Sequence, residues 1–213
     1  MTFADTLVRL QSGLAGPLPG AAAHAWMASR PRRGWPPDFN PARIRHAAGL
    51  LLVFPFADLA HVVLTLRSDT LGRHGGQVSL PGGVAEAGET FEQAALREAH
   101  EEVSLDPAAV RIAGALTPLD IPVSGFRLHP ILATMEGRPH LAPADGEVAR
   151  ILEVDLDELF ERSHQVTVTR ERDGHTLNVP AFRIAGTEIW GATAMVLAEF
   201  LVLLGWDPEM KGR

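Results

Sequence analysis

No cysteine occurs in the 213-residue chain, so neither a disulfide framework nor a thiolate metal site is available to it. Long apolar runs are also missing. The longest, "AAGLLLVFPFA" and "AMVLAEFLVLLGW", fall short of the ~20 residues needed to span a bilayer. The opening "MTFADTLVRLQSGLAG" carries Asp5 where a secretion signal is basic, and it has no unbroken apolar core. A cytoplasmic protein is therefore expected. There is no basic excess either: 19 Lys and Arg face 26 Asp and Glu, a net charge of −7. That balance argues against general nucleic-acid binding, which draws its affinity from displaced counterions. The nine histidines show neither H-x-x-H nor H-E-x-x-H spacing, so zinc is not expected. No internal repeat or low-complexity tract interrupts the chain.

What is present is ordinary for one globular core, at 46% hydrophobic and 21% charged residues. Residues 1–45 read as an N-terminal arm packed on the domain. A short amphipathic segment (Phe3, Leu7, Leu10) is followed by "GPLPG" and by "RPRRGWPPDFNP", whose prolines exclude a regular element. Trp35 and Phe39 are its expected anchors. Residues 46–213 form the domain proper. "GLLLVF", "HVVLTLR", "VRIAGALT" and "FRLHPILATM" are β-rich runs separated by turn residues. "QVTVTRERDGHTLNVPAFRI" predicts a hairpin turning at Asp173-Gly174. Ala192 to Leu204 is free of Gly and Pro and predicts a helix. The fold class is α+β, an α/β/α sandwich with a mixed β-sheet between helices.

Chemistry concentrates in "GGVAEAGETFEQAALREAHEEVSL", Gly82 to Leu105. Thr90 with Gln93 makes a capping box, and Pro107 lies beyond the expected helix end. At helical spacing Glu98, Glu101 and Glu102 fall within an arc of about 100°, although like charges this close destabilise a helix by a few tenths of a kcal/mol per pair. Ala94 and Ala95 are expected on that same side, leaving room above the helix, with Leu96, Ala99 and Val103 on the opposite, core-facing side. A solvated acidic stripe is the plain alternative. A divalent cation explains the crowding better. Mg2+ takes one or two carboxylates plus waters and substrate phosphates, and the flexible Gly82-Gly83 pair supplies backbone oxygen beside the helix start.

The stretch resembles the Nudix box, G-x5-E-x7-R-E-u-x-E-E-x-G-u, with u aliphatic. Gly83, Glu89, Arg97, Glu98, Glu101 and Glu102 match at the right spacing, and Leu105 fills the last aliphatic position. Ala99 is small for its position, and Ser104 stands where the final glycine is usual. The resemblance implies the Nudix fold and a diphosphate hydrolase using Mg2+ or Mn2+. It makes Glu98 and Glu102 the principal metal ligands, aided by Gly83. Glu101 becomes a further ligand or the base acting on water, and a Glu89–Arg97 pair braces the loop. Bound metal would lower the pKa of its water and offset charge on the leaving phosphate.

Upstream, "LTLRSDTLGRHGGQVSLPGG" is similar to the segment preceding the box in the coenzyme A diphosphatases of that family, L-L-T-x-R-S-x3-R-x3-G-x3-F-P-G-G. Leu64, Thr65, Arg67, Ser68, Gly76, Pro81, Gly82 and Gly83 match; Gly72 replaces the second arginine, Arg73 follows it, and Leu80 replaces phenylalanine. This implies Arg67, Ser68, Arg73 and His74 as substrate-binding residues, because coenzyme A carries a diphosphate and a ribose phosphate that guanidinium and backbone N–H groups can hold. A Nudix hydrolase of ADP-ribose or a dinucleotide polyphosphate is one alternative, and a non-catalytic nucleotide-sensing module is another. The expected partner is a small molecule, with no nucleic acid and no membrane. A homodimer through Val196, Phe200, Leu203 and Trp206 is a further candidate. Glu147 reads as a loop acid or an additional glutamate near the metals, Trp190 as a core anchor, and His129 as a satisfied core histidine.

Overall fold

The computed structural model describes residues 1–69, 75–144, 146–172 and 174–209. In chain order the elements are α1 (Phe3–Leu14), α2 (Gly20–Met27), β1 (Arg45–Phe56), β2 (Leu59–Arg67), β3 (Val78–Ser79), β4 (Gly82–Val84) and α3 (Phe91–Val103). They continue with β5 (Arg111–Ala115), β6 (Leu119–Ile121), β7 (Phe126–Thr134), β8 (Val148–Asp155) and α4 (Leu156–Phe160). The chain closes with β9 (Gln165–Arg172), β10 (His175–Ile184), β11 (Thr187–Trp190) and α5 (Ala192–Leu203).

The principal sheet runs β3-β2-β1-β7-β5, with β4 on β1, β6 on β7 and β8 on β2. It is mixed: β1 and β7 are parallel from Arg45↔Phe126 to Val53↔Thr134, whereas β2, β4, β5, β6 and β8 pair antiparallel. A separate three-stranded sheet, β11-β10-β9, carries the expected hairpin; of its proposed turn, Asp173 lies outside the described residues. Why "GLLLVF" is apolar without alternation is clear from β1. Leu50, Leu52 and Phe54 belong to one core with Ala94, Ala95, Ala99 and Val103 of α3, while Leu51 and Val53 belong to a second core with α5. A strand covered on both faces needs apolar side chains at successive positions.

Residues 1–45 contribute the helices α1 and α2, and Leu10, Met27 and Ala28 enter the second core. Beyond them Trp35 stacks on Phe39 with centroids 4.3 Å apart, and its indole N–H donates to Asp120 Oδ2 at 3.0 Å. Asp120 also pairs with Arg127 at 2.6 Å, and that hydrogen bond holds its carboxyl below the ordinary value. The segment is fixed at its aromatic end.

Two expectations are corrected. Ala94 and Ala95 are fully buried, so they leave no space for a ligand; they let α3 sit close on β1, while Leu96 is only partly buried. Of the residues expected at a subunit face, Val196, Phe200 and Trp206 are buried in the core that α1 and α2 cover, and Leu203 is half-buried against it. Because α5 is buried from Thr193 to Leu201, its apolar composition serves the monomer core. Among the described residues no helix is long and apolar enough to cross a membrane.

Candidate active site

Helix α3 begins as its sequence requires. The Thr90 hydroxyl accepts from Gln93 N–H at 3.2 Å, and the Gln93 side chain accepts from Thr90 N–H at 2.9 Å. It ends at Ser104 in the left-handed conformation, φ 57° and ψ 27°, the geometry for which glycine is usual. Between these ends the helix lies against β4, which pairs Gly82 with Gly49 and Gly83 with Ala48.

The glycine pair is dictated by close approach. A Cβ on Gly82 would stand 2.2 Å from the Ala48 carbonyl oxygen, and one on Gly83 would stand 2.5 Å from the Glu98 carboxylate. Either contact is far inside van der Waals distance. Glu102 meets the same strand from the next turn: its Oε2 accepts the Gly82 N–H at 3.1 Å. Two carboxylates thus converge on two glycines.

Arg97 organises the approach. Its Nε and Nη2 donate to Glu89 at 2.8 and 3.1 Å, Nη2 also reaches the Val84 carbonyl at 3.1 Å, and Nη1 reaches Glu98 at 2.9 Å and Glu101 at 3.2 Å. Hydrogen bonding to Arg97, then to the Glu86 backbone, lowers the pKa of Glu89. The loop and the helix are thereby tied through one guanidinium. Glu101 is half-exposed and turned toward Arg97, so the structure does not bring it onto the glycine pair.

Arg67, at the end of β2, arrives beside this cluster. Nη1 is 3.6 Å from Glu102 Oε1, and Nη2 is 3.4 Å from Glu147 Oε2. The Ser68 N–H donates to the Glu147 carbonyl at 2.7 Å, which fixes the two segments against each other. Glu147 therefore stands at the site. Arg73 and His74 lie outside the described residues.

Glu102 is the electrostatic focus. Burial pushes its pKa up to about 7; the Gly82 N–H and Arg67 pull it down, and Glu98 and Glu147 push it further up. A buried carboxylate beside other carboxylates is costly unless a cation compensates it. Among the described residues no three His, Asp or Glu side chains converge as a closed cage. Glu98 and Glu102 beside the glycine backbone instead suit an open site for a hard dication that keeps waters and takes substrate phosphates. The residues fit Mg2+ or Mn2+.

Three other groups stand apart from this cluster. His129 is half-buried: Phe91 stacks on it at 3.5 Å between centroids, and its Nε2 is 2.9 Å from His46 Nδ1. Burial first, then His46 and Arg127, lowers its pKa to about 4, so it is neutral. Trp190 is half-buried with the Arg170 guanidinium 4.3 Å over its ring. A cavity of about 330 Å³, lined by Trp26, Met27, Gln165, Asn178 and Trp206 among others, lies between α2 and the smaller sheet. None of its lining residues comes from the glutamate cluster, so the two are separate.

One buried group was missed from the sequence. Glu199 of α5 is fully buried and accepts from His24 at 2.8 Å, Gly20 N–H at 3.1 Å, the Thr117 hydroxyl at 2.6 Å and Thr117 N–H at 3.2 Å. Its signal was a lone acid inside "AMVLAEFLVLL".

Comparison with known proteins places the chain. The family model described as the NUDIX domain matches residues 44–173. An uncharacterized Nudix hydrolase NudL from Pectobacterium atrosepticum is 31% identical over 176 residues, covering 81% of this chain and 90% of that protein. Another from Enterobacter sp. is 32% identical over 165 residues, covering 77% and 85%. Among solved structures, a Nudix hydrolase from M. smegmatis, RenU, superposes with a TM-score of 0.55 at 21% identity, covering 79% of this chain and 90% of that one. A MutT/nudix family protein from Enterococcus faecalis gives 0.51 at 16%, covering 79% and 64%. At those identities the likeness concerns the fold.

Proposed function

The chain belongs to the Nudix hydrolase family, and from that premise we propose that it hydrolyses the diphosphate bond of coenzyme A or its acyl derivatives. The products are 3′-phosphoadenosine 5′-phosphate and (acyl-)4′-phosphopantetheine. One observation carries the reading: Arg67, from the upstream segment that resembles coenzyme A diphosphatases, stands 3.6 Å from Glu102 of the box. Substrate specificity and hydrolysis then share one site.

Glu98 and Glu102 would hold a divalent ion, Mg2+ or Mn2+, with Gly83 lacking the Cβ that would collide with the Glu98 carboxylate. When bound, the metal lowers the pKa of water and offsets negative charge on the diphosphate. Glu102 anchors one oxygen on Gly82 N–H and presents the other. Glu147, which Arg67 links to Glu102, or Glu101, once released from Arg97, would accept the proton of the attacking water. Arg97 and Glu89 act at one remove, fixing the loop so that Glu98 keeps its direction. Arg67, with Ser68 and the Arg73–His74 segment, binds the substrate's phosphates, for which a forked guanidinium is suited.

Incubation with Mg2+ or Mn2+ and coenzyme A, with the two products separated and identified, tests the reading. If coenzyme A persists while ADP-ribose or a dinucleotide polyphosphate is cleaved, the substrate is wrong and the chemistry stands. Glu102→Gln should abolish turnover by orders of magnitude; a nucleotide-sensing module would show no turnover to lose.

A further inference from the structure

The two oxygens of Glu102 are not equivalent. Oε2 is engaged by the Gly82 N–H at 3.1 Å, which leaves Oε1 the less encumbered oxygen for a metal. That is the oxygen the Arg67 guanidinium faces, at 3.6 Å. Two cations thus want one oxygen.

Arg67 is held in position from its backbone. Its N–H donates to the Gln77 carbonyl, and its carbonyl accepts the Gly76 N–H, both at 3.0 Å. The neighbouring Ser68 N–H binds the Glu147 backbone. The side chain is three-quarters buried, and its other nitrogen, Nη2, lies 3.4 Å from Glu147. With its backbone fixed at the strand end, the guanidinium spans Glu102 and Glu147 and can shift its weight from one to the other.

We propose that Arg67 is a resident counter-cation of the metal-free site, competing with the divalent ion for Glu102 Oε1 and falling back on Glu147 when the ion binds. This rests on the metal-dependent reading above. It explains how acidic groups stay together in a half-buried site before metal arrives, since an uncompensated carboxylate there would be strongly disfavoured. It also makes metal affinity a compromise. The same arginine that serves the substrate's phosphates weakens the hold on the ion.

Isothermal titration of Mn2+ into the full chain tests the competition. Arg67→Gln should bind Mn2+ roughly tenfold more tightly than the parent, the scale of repulsion between a dication and a unit charge about 6 Å apart at the dielectric of water. Arg67→Lys keeps the charge and should stay near the parent. Thermal melting gives a second readout that a purely structural role would not move. In EDTA the parent should melt above Arg67→Gln, and in excess Mn2+ the order should reverse. Equal or weaker Mn2+ binding by Arg67→Gln, or an order of melting unchanged by metal, overturns the competition and leaves the metal-dependent reading intact. Absence of Mn2+ binding in both parent and variant overturns that reading and this inference together.

Discussion

Replacing Glu199 with leucine removes its charge and acceptors from the fully buried centre of α5. His24, Gly20 N–H and both donors of Thr117 then lose their common partner. Each buried donor left unmet costs about 1–3 kcal/mol, the upper end applying where the lost acceptor was charged. Because the polar groups can relax toward one another, a total of roughly 3–5 kcal/mol is expected rather than the full sum. For a chain of this length each kcal/mol lowers the melting midpoint by about 2–4 °C, so Glu199→Leu should lose about 6–20 °C. Glu199→Gln retains an acceptor and should lose less than half as much. Calorimetry with urea titration reads both. A Glu199→Leu midpoint within about 3 °C of the parent would refute the reasoning, since the donors would then be finding water and the cluster would not be sealed.

The carboxyl of Glu199 adds a pH dependence. Burial would raise its pKa, but hydrogen bonds from His24 and Thr117 outweigh that and place it below the ordinary value. Such a group contributes stability above its unfolded pKa and loses it as pH falls through the folded one, so urea midpoints should drop more steeply below about pH 4 in the parent than in Glu199→Gln. Gly83→Ala should cut hydrolysis at least tenfold with little change in melting, because the new methyl meets the Glu98 carboxylate at 2.5 Å; normal turnover would mean that this carboxylate is not needed where it stands. Ser104→Gly relieves a left-handed backbone at the end of α3 and should raise stability by about 1 kcal/mol in denaturant titration. Nuclear magnetic resonance should find His129 neutral down to about pH 5, with its transition near pH 4; a transition above pH 6 would contradict its burial.

The helix of glutamates was legible because everything that shapes it is local: the capping box, the spacing of the acids and the glycine pair lie within one short stretch. The mixed, sandwiched sheet was legible from runs such as "GLLLVF", whose lack of alternation demands cover on both faces. What stayed hidden depends on partners far apart in sequence. Arg67 meets Glu102 only because β2, which carries Arg67, and β4, against which α3 lies, both pair with β1, and Glu147 joins them through the pairing of β8 with β2. His46 meets His129 only through the parallel register of β1 with β7. The misplacement of Ala94 and Ala95 has a similar origin. On a short helix an acidic arc and a core arc overlap at their margins, and the contact with β1 decides which residues go under.

Strand β1 sets its own register twice, since neighbouring side chains answer to different cores. Shifting it by one residue would send Leu50, Leu52 and Phe54 toward α5 and Leu51 and Val53 toward α3, disrupting both interiors at once. Ala48 and Gly49 of that strand are also the residues against which Gly82 and Gly83 lie. The leucines of β1 therefore act as a ruler for the placement of Glu98 and Glu102. Changes in their bulk should surface as altered turnover before they surface as loss of folding.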